Sequence, residues 1–190
     1  MIRSARIVGS GLIGTSIGLC LKSAGIEIEM VDIDLKSAQL AQDLVKSTQI
    51  SQPDLILIAV PISANQKVVV EQLNANQKSI VCDLASVKSD LLVKVEELSD
   101  NPENFISLHP MAGREHSGAQ NARADLFIGR AWVVITGSKS SDKAKSVANA
   151  LIKICGGSSY QMNSTEHDLV VAQVSHLPQI LSSSLAASLL

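Results

Sequence analysis

The apolar residues of this chain form short continuous runs that alternate with stretches in which apolar positions recur every three or four residues. The runs, rich in Val, Ile and Leu, predict strands, and the recurring positions predict amphipathic helices. Strands are predicted at residues 5–8, 27–32, 54–61, 79–83, 105–109, 131–136 and 158–162. Helices are predicted at residues 15–24, 35–46, 63–73, 88–98, 142–154 and from 163 onward. This alternation is typical of an α/β fold with a doubly wound, mostly parallel sheet.

The connection between the second and third predicted strands is unusually short. Only about ten residues separate Asp43 from Asp54, whereas a strand together with its crossover helix needs roughly a dozen or more. The strand that normally stands third in a doubly wound sheet is therefore predicted to be missing or vestigial.

The helical pattern that begins after residue 162 differs from the preceding alternation. Asn163 and Glu166 resemble a capping box, and the apolar pattern then continues to the last residue with an interruption at Pro178. An apolar face that ends uncovered suggests either a fragment of a longer protein or a partner that covers it.

A glycine-rich turn, G-S-G-L-I-G at residues 9–14, joins the first strand to the first helix. In this spacing Gly9 permits a tight turn, Gly11 lets a pyrophosphate approach the backbone, and Gly14 lets helix and strand pack closely. The free N–H groups and partial positive charge of the helix N-terminus favour phosphates. We therefore expect a dinucleotide to bind at Gly9, Gly11, Leu12, Ile13 and Gly14.

An acidic residue at the end of the second strand supports this interpretation. Asp32 lies 18 residues beyond Gly14, near the offset at which a carboxylate binds the adenosine ribose hydroxyls. Because a carboxylate there repels a 2′-phosphate, we expect NAD as cofactor, with NADP less favoured and Lys36 moderating the preference. Asp34 is the alternative ribose ligand, and its other interpretation is the N-cap of the next helix.

Composition excludes several classes of function. The net charge of −2, the isoelectric point near 6.1 and an aromatic content of 2% give no basis for nucleic-acid binding or for an anionic membrane surface. No targeting segment or bilayer-length apolar run is visible. The isolated cysteines, Cys20, Cys82 and Cys155, are typical of buried thiols in a reducing compartment. We expect a cytoplasmic protein without nucleic-acid or membrane partners and, since no two histidines have i, i+4 spacing, without a metal.

The loop after the strand at residues 105–109 carries most of the candidate chemistry. It reads H-P-M-A-G-R-E-H-S-G from His109 to Gly118 and begins at a strand's carboxyl end, where ligands bind in open α/β sheets. With this loop, the chain resembles the prephenate and arogenate dehydrogenase family of tyrosine biosynthesis over essentially its whole length. The other matching motifs are the glycine turn, Val60-Pro61, D-x-x-S-x-K at 83–88, D-L-F at 125–127 before W-V-V at 132–134, H-D at 167–168 and S-H-L-P at 175–178.

This resemblance implies an NAD-dependent oxidative decarboxylation of prephenate or arogenate, a small molecule with two carboxylates. A hydride leaves C4 of the cyclohexadienol ring, the 4-hydroxyl becomes a carbonyl, and the ring carboxylate departs as CO2. In this interpretation His109 accepts a hydrogen bond or proton from the 4-hydroxyl, and Ser86 orients that hydroxyl or the nicotinamide. Val60 and Pro61 join the cofactor site. The implied substrate-binding residues are Gly113, Arg114, Glu115, Ser117, His176 and Gln179.

Most of these residues also have an ordinary structural interpretation. His109 and His176 could serve in local hydrogen bonding or packing, and Arg114 could be an exposed loop residue. Ser86 could be the N-cap of the helix that follows it. Two further groups are interpreted structurally: Lys88 as a solvated lysine on a helix face, Asp168 as a complement to the dipole of its own helix. His116 is expected at the surface.

The chain departs from the family pattern at two points. Gln179 stands where family members commonly have a second histidine, which leaves binding of the ring carboxylate open. In the family an all-helical domain follows, forming a homodimer and contributing a substrate-binding arginine. We therefore expect residues 1–162 to form a Rossmann-type dinucleotide-binding domain and residues 163–190 to be the first helix of a truncated or missing dimerisation domain. The alternatives are a catalytically incomplete NAD-binding or sensing module and another β-hydroxyacid-type dehydrogenase.

Overall fold

The computed structural model describes residues 1–188, in which seven strands form one sheet and the helices pack on its two faces. The strands are β1 (Ser4–Val8), β2 (Glu27–Val31), β3 (Leu55–Ile58), β4 (Ile80–Asp83), β5 (Phe105–Pro110), β6 (Ala131–Ile135) and β7 (Ser158–Gln161). The helices are α1 (Leu12–Ser23), α2 (Leu35–Val45), α3 (Ile62–Ala75), α4 (Ser89–Leu98), α5 (Asp142–Ile154), α6 (Ser164–Val171) and α7 (Leu177–Ala187). Each predicted element is present, with ends that differ by a few residues.

The strand order is β2-β1-β3-β4-β5-β6-β7. The first five strands are parallel, β6 pairs antiparallel with β5, and β7 pairs parallel with β6. The predicted doubly wound, mostly parallel sheet is therefore confirmed. Because β1, β3, β4 and β5 run the same way, their carboxyl ends lie along one edge of the sheet, where such folds bind ligands.

The predicted absence of a strand after β2 is confirmed for residues 1–188. The chain leaves α2 and enters β3 directly, and β3 pairs with β1 on the side away from β2. The free edge of β2 is covered by the connection instead. Thr48 donates its backbone N–H to the Ile28 carbonyl at 2.8 Å, and the Ser47 hydroxyl accepts the Met30 N–H at 2.9 Å. These two bonds satisfy backbone groups that would otherwise stay open on an edge strand.

The core consists of two apolar layers, one on each face of the sheet. Strand β3 contributes to both, because Leu55 and Leu57 face one layer while Ile56 and Ile58 face the other. Side chains of α1, α2 and α5 belong to the first layer, and those of α3 and α4 to the second. A strand buried on both faces needs the continuous apolar sequence seen there.

Local capping residues explain where several helices begin. The Asp34 carboxylate accepts the Ser37 N–H at 2.9 Å and caps α2, and the Ser141 hydroxyl accepts the Ala144 N–H at 3.2 Å and caps α5. The Asn163 side chain accepts the Glu166 N–H at 2.8 Å and caps α6. The predicted capping box is only half formed, because the Glu166 carboxylate lies 3.4 Å from the Asn163 side-chain amide rather than on its backbone.

The last helical region is interrupted just before Pro178, and Pro178 itself lies in the first turn of α7. Between α6 and α7 the chain forms a π-helical segment, Ala172–His176, since proline has no N–H to continue the α-helical bonding pattern. Many apolar side chains of this region are exposed: Leu169, Val170, Val174, Leu177, Ile180, Leu181 and Leu185. Residues 189 and 190 of the predicted last helix lie outside the described residues. Within residues 1–188, the helices are all too short or too polar to cross a bilayer.

Candidate active site

The three glycines of the turn after β1 have different structural roles. Gly9 has φ +109°, and a Cβ there would collide with the Ala59 carbonyl of the neighbouring β3 connection. A Cβ on Gly14 would collide with the Gly9 carbonyl. A Cβ on Gly11 would meet no atom within 4 Å. Two glycines are therefore required by packing within the chain, whereas the space above Gly11 is open.

The N-terminus of α1 is prepared for an anion. Gly11 is its N-cap and supplies no side-chain bond, the first turn carries no acidic residue, and the first α-helical bond closes at Thr15. The buried Ser10 hydroxyl, 1% exposed, has no hydrogen-bond partner among residues 1–188. The open space, the unpaired donors and the helix dipole fit the pyrophosphate of a dinucleotide.

Asp32 lies beside this turn and Asp34 does not. The Asp32 carboxylate accepts the Ser10 N–H at 2.6 Å and the Asp34 N–H at 2.9 Å. Asp34 is engaged as the α2 cap, which agrees with its alternative interpretation. Val60 and Pro61 follow Ala59, whose carbonyl contacts Gly9, so they border the same turn. The predicted cofactor residues thus converge at the carboxyl ends of β1, β2 and β3.

A cavity of about 350 Å³ opens at the carboxyl end of β5. His109 is the penultimate residue of β5, and Ser86 reaches the cavity from the loop after β4. His176 reaches it from the π-helical segment. The lining residues are Ser86, His109, Pro110, Met111, Ala112, Gly113, Val171, Val174, Ser175 and His176. Both predicted catalytic residues and two predicted substrate-binding residues therefore share one cavity.

His109 begins a chain of hydrogen bonds that leads away from the cavity. Its Nδ1 lies 2.9 Å from Nε2 of His167, and Nδ1 of His167 lies 2.8 Å from Oδ1 of Asp168. The His167 side chain has no solvent exposure. Sequence reasoning did not find this arrangement. The only signal was the adjacent H-D pair, since nothing in the sequence places residue 167 against residue 109.

The environment of His109 keeps its imidazole neutral. Burial lowers the pKa of His109 to about 3, and the positive charge of Lys88 acts in the same direction while Asp168 opposes them. A neutral imidazole has one nitrogen lone pair available as an acceptor. His109 is therefore available as a hydrogen-bond acceptor throughout the physiological pH range.

Asp168 caps a helix other than its own. Its carboxylate accepts the backbone N–H groups of Lys88 and Ser89 at 3.0 Å and the Ser89 hydroxyl at 2.7 Å. Partial burial raises the pKa of the Asp168 carboxyl, but the bonds from Ser89, His167 and Lys88 outweigh that effect and hold the pKa below its ordinary value. The predicted dipole role on its own helix is corrected accordingly. Ser86 is not the N-cap of α4, because that helix begins at Ser89.

The prediction that Lys88 is a solvated helix-face lysine is wrong. Its side chain is fully buried, and its ammonium donates to Asp83 Oδ2 and to the Leu108 carbonyl, both at 2.7 Å. Burial lowers the pKa of Lys88, and the Asp83 carboxylate opposes that shift. Asp83 also accepts bonds from the Ser107 hydroxyl and the Ala85 N–H. This buried pair ties the residue before His109 to the loop that carries Ser86.

The remaining predicted substrate residues do not line the cavity. Arg114, Glu115, Ser117 and Gln179 are exposed, and Arg114 borders a separate cavity of about 280 Å³. The amide of Gln179 lies 3.3 Å from the Ser183 hydroxyl of α7. Their roles stay predictions. His116 is exposed, as predicted.

Comparisons with known proteins agree with this geometry. The family described as prephenate dehydrogenase, nucleotide-binding domain, matches residues 17–161. The chain is 33% identical to the prephenate dehydrogenase of Lactococcus lactis subsp. cremoris, covering 94% of this chain and 52% of that protein. It is 30% identical to the probable prephenate dehydrogenase NovF of Streptomyces niveus, covering 99% and 53%. The crystal structure of prephenate dehydrogenase from A. aeolicus in complex with hydroxyphenyl propionate and NAD+ superposes with a TM-score of 0.89 at 25% identity, covering 99% and 69%.

These matches cover nearly all of this chain but only part of each relative. The chain spans about half the length of the two curated relatives described above. The family match runs from within α1 to the end of β7 and so includes nearly all of the sheet, together with Asp32, Ser86 and His109. With the glycine turn and the His109 cavity in place on this sheet, the chain belongs to the prephenate dehydrogenase nucleotide-binding domain family.

Proposed function

We propose that this chain is the cofactor-binding and catalytic part of an NAD-dependent dehydrogenase that oxidatively decarboxylates prephenate or arogenate in tyrosine biosynthesis. The observation that carries the proposal is the neutral, half-buried His109 in one cavity with Ser86 and His176. This cavity lies on the same edge of the sheet as the glycine turn. Family membership supports the same reaction class.

The glycine turn and Asp32 would hold NAD. The N–H groups of Leu12, Ile13 and Gly14 begin α1 and would bind the pyrophosphate, while Gly11 leaves room for it. Asp32 would accept the ribose hydroxyls and disfavour a 2′-phosphate. When bound, NAD supplies the acceptor for the hydride that leaves C4 of the substrate. Val60 and Pro61 would border the cofactor on the β3 side.

His109 would act on the 4-hydroxyl of the substrate. A neutral imidazole at this position accepts the hydroxyl proton as the carbonyl forms, a contribution of about 10²–10⁴-fold to the rate in general-base catalysis. Ser86, which lines the same cavity from the loop after β4, would orient the hydroxyl or the nicotinamide. The other contribution of these residues to the rate would be to position C4 against the cofactor.

The two carboxylates of the substrate require polar or cationic partners. His176 and Gly113 line the cavity and would contact the substrate directly. Arg114, Glu115, Ser117 and Gln179 would join them from the exposed loop and from α7. Among residues 1–188, the Arg114 guanidinium makes one long hydrogen bond, 3.5 Å to the Asn121 carbonyl, so it is available for bidentate binding of a carboxylate.

We also infer a division of the chain at residue 163 and a homodimer formed through the helical region. Residues 1–162 would form the dinucleotide-binding domain, and residues 163–190 the beginning of a helical dimerisation domain. The exposed apolar side chains of α6 and α7 support a dimer contact there. The three free, buried cysteines support a cytoplasmic location, where thiols stay reduced.

The proposal is tested by calorimetric titration of the chain with NAD and NADP, and by NADH formation with prephenate and with arogenate offered separately. We expect tighter binding of NAD and turnover of at least one substrate. His109→Ala should abolish turnover and leave the NAD dissociation constant within about twofold, since the imidazole is expected to contact the substrate. His116→Ala, an exposed change in the same loop, should alter neither. NAD binding without turnover of either substrate would refute the catalytic part of the proposal, and failure to bind NAD would refute all of it.

A further inference from the structure

We propose that His167 and Asp168 are positioning residues that fix one tautomer of His109, with the proton on Nδ1 and the Nε2 lone pair free to receive the substrate's hydroxyl proton. This inference rests on the proposed function for its catalytic meaning. Its structural content, the position of one proton on His109, is independent of turnover. It follows from the hydrogen-bonding capacity of three groups in sequence.

Asp168 determines which groups donate and which accept in this series of hydrogen bonds. Its carboxylate faces the N-terminus of α4, where it accepts two backbone N–H groups and one hydroxyl. A carboxylate held by several donors stays ionised and acts only as an acceptor. The nitrogen of His167 at 2.8 Å must therefore donate, so Nδ1 of His167 carries a proton.

The burial of His167 determines the next link. Its side chain is inaccessible to solvent, and among residues 1–188 its two ring nitrogens have Asp168 and His109 as their hydrogen-bond partners. A neutral ring that carries its proton on Nδ1 has a lone pair on Nε2. Nδ1 of His109, at 2.9 Å, must then donate to that lone pair, because two lone pairs at this distance would repel.

The last link leaves Nε2 of His109 unprotonated. Since Nδ1 is engaged by His167, Nε2 is the nitrogen available to the cavity that His109 lines. The opposite tautomer would present a donor to the 4-hydroxyl and could not accept its proton. A ring nitrogen fixed by the hydrogen bond of its neighbour is a common feature of sites in which an imidazole must be a base.

The same series of hydrogen bonds stabilises His109 after proton transfer. The O–H bond of the 4-hydroxyl breaks and an Nε2–H bond forms as the hydride leaves C4. The proton returns to the ring oxygen when the carboxylate departs and the ring becomes aromatic. While His109 is an imidazolium, the negative charge of Asp168 stabilises it through the bonds to His167. The Lys88 ammonium and His176 are unfavourable neighbours of that charge.

Asp168→Asn provides the sharpest perturbation, because an asparagine carboxamide can keep the cap of α4. Its oxygen can retain the Ser89 bonds while its nitrogen, a donor, replaces Oδ1 opposite His167. His167 must then accept at Nδ1 and carry its proton on Nε2, which forces His109 to accept at Nδ1 and to carry its proton on Nε2. The whole chain of bonds is therefore expected to reverse.

Nitrogen-15 NMR of the histidine-labelled chain measures this directly, since protonated and unprotonated ring nitrogens resonate far apart. His109→Gln assigns the His109 signals by their loss. We expect an unprotonated Nε2 on His109 in the unaltered chain and an unprotonated Nδ1 in Asp168→Asn. Asp90→Asn is the matched control. It neutralises the acid in the first turn of α4 itself and should leave the His109 tautomer unchanged.

Turnover connects the tautomer to catalysis. Asp168→Asn should lower kcat by roughly 10²–10⁴-fold, the range expected when a general base is lost, with the NAD dissociation constant unchanged. A proton on Nε2 of His109 in the unaltered chain, or an unchanged tautomer in Asp168→Asn, would overturn the inference. If the tautomer is as stated and reverses in Asp168→Asn but the chain oxidises neither substrate, the tautomer assignment stands and the proposed function fails.

Discussion

Replacing Lys88 by Met removes a buried positive charge while keeping a side chain of similar length. In the native chain the ammonium contacts Asp83 Oδ2 and the Leu108 carbonyl, both at 2.7 Å, and neither charged side chain is exposed. Lys88→Met would leave the Asp83 carboxylate buried with only neutral donors, the Ser107 hydroxyl and the Ala85 N–H among them. We expect a large loss of stability.

The size of that loss can be bounded from the geometry. At 2.7 Å the attraction of two unit charges is about 6 kcal/mol with an effective dielectric constant of about 20. The desolvation of Lys88 itself is regained on substitution, and removal of one partner of a buried pair typically costs about 3–5 kcal/mol. Because neutral donors still solvate Asp83, we expect about 3 kcal/mol in the free energy of unfolding, a large fraction of the roughly 5–15 kcal/mol available to a domain.

Urea unfolding followed by fluorescence measures this loss conveniently. Trp132 is the only tryptophan and is fully buried, so its emission reports the folded core. Lys94→Met is a matched control, because Lys94 lies 2.8 Å from Glu97 but both side chains are about half exposed. It should cost far less than Lys88→Met, because solvent screens an exposed ion pair.

A double-mutant cycle with Asp83→Asn separates the ion pair from other effects. The double variant should be more stable than the sum of the two single losses predicts, by about 2 kcal/mol, since it leaves no buried charge without a partner. A loss for Lys88→Met as small as that for Lys94→Met would refute the reasoning and favour a solvated Lys88.

Two further predictions concern the glycine turn and His109. Gly14→Ala should lower the free energy of unfolding by about 2 kcal/mol, because its Cβ meets the Gly9 carbonyl. Gly11→Ala should leave the urea midpoint unchanged, since its Cβ meets no atom of the chain. It should weaken NAD binding at least tenfold, as measured by calorimetry. For pH, the pKa of His109 is about 3 in the folded chain against an ordinary 6.5, so its contribution to stability is complete above pH 6.5 and is lost as the pH falls towards 3. At a pH of about 4.5 the loss is roughly 2–3 kcal/mol, and His109→Gln should lose that much less stability between neutral and acid pH. Equal acid sensitivity of the two chains would contradict the depressed pKa.

The elements and their order could be predicted because each depends on a local signal. The α5 helix begins at the residue after Ser141 because that hydroxyl caps it, and β3 needs its continuous apolar run because both of its faces are buried. The position of His109 at a strand end follows from the same pattern. The antiparallel direction of β6 has no comparable marker, since a short buried strand has the same apolar sequence in either direction.

Long-range contacts account for what the sequence did not reveal. Lys88 has the composition of a helix-face residue, and only the fold brings its ammonium to the Leu108 carbonyl of another strand. Asp168 caps a helix that begins 79 residues earlier, at Ser89. Local propensity depends on neighbouring residues only. A side chain whose role depends on a distant partner therefore has no distinguishing signal in the sequence.

The π-helical segment Ala172–His176 makes the direction of α7 adjustable. Each residue added to or removed from a helix turns everything beyond it by roughly 100° about the axis, and a π segment can absorb one residue without breaking the backbone path. A deletion of one residue within 172–176 would leave His167 in its place against His109, but it would shift His176 in the cavity and turn the exposed leucines of α7 to another side. The segment thus links the position of His176 in the cavity to the direction of the exposed apolar surface that follows it.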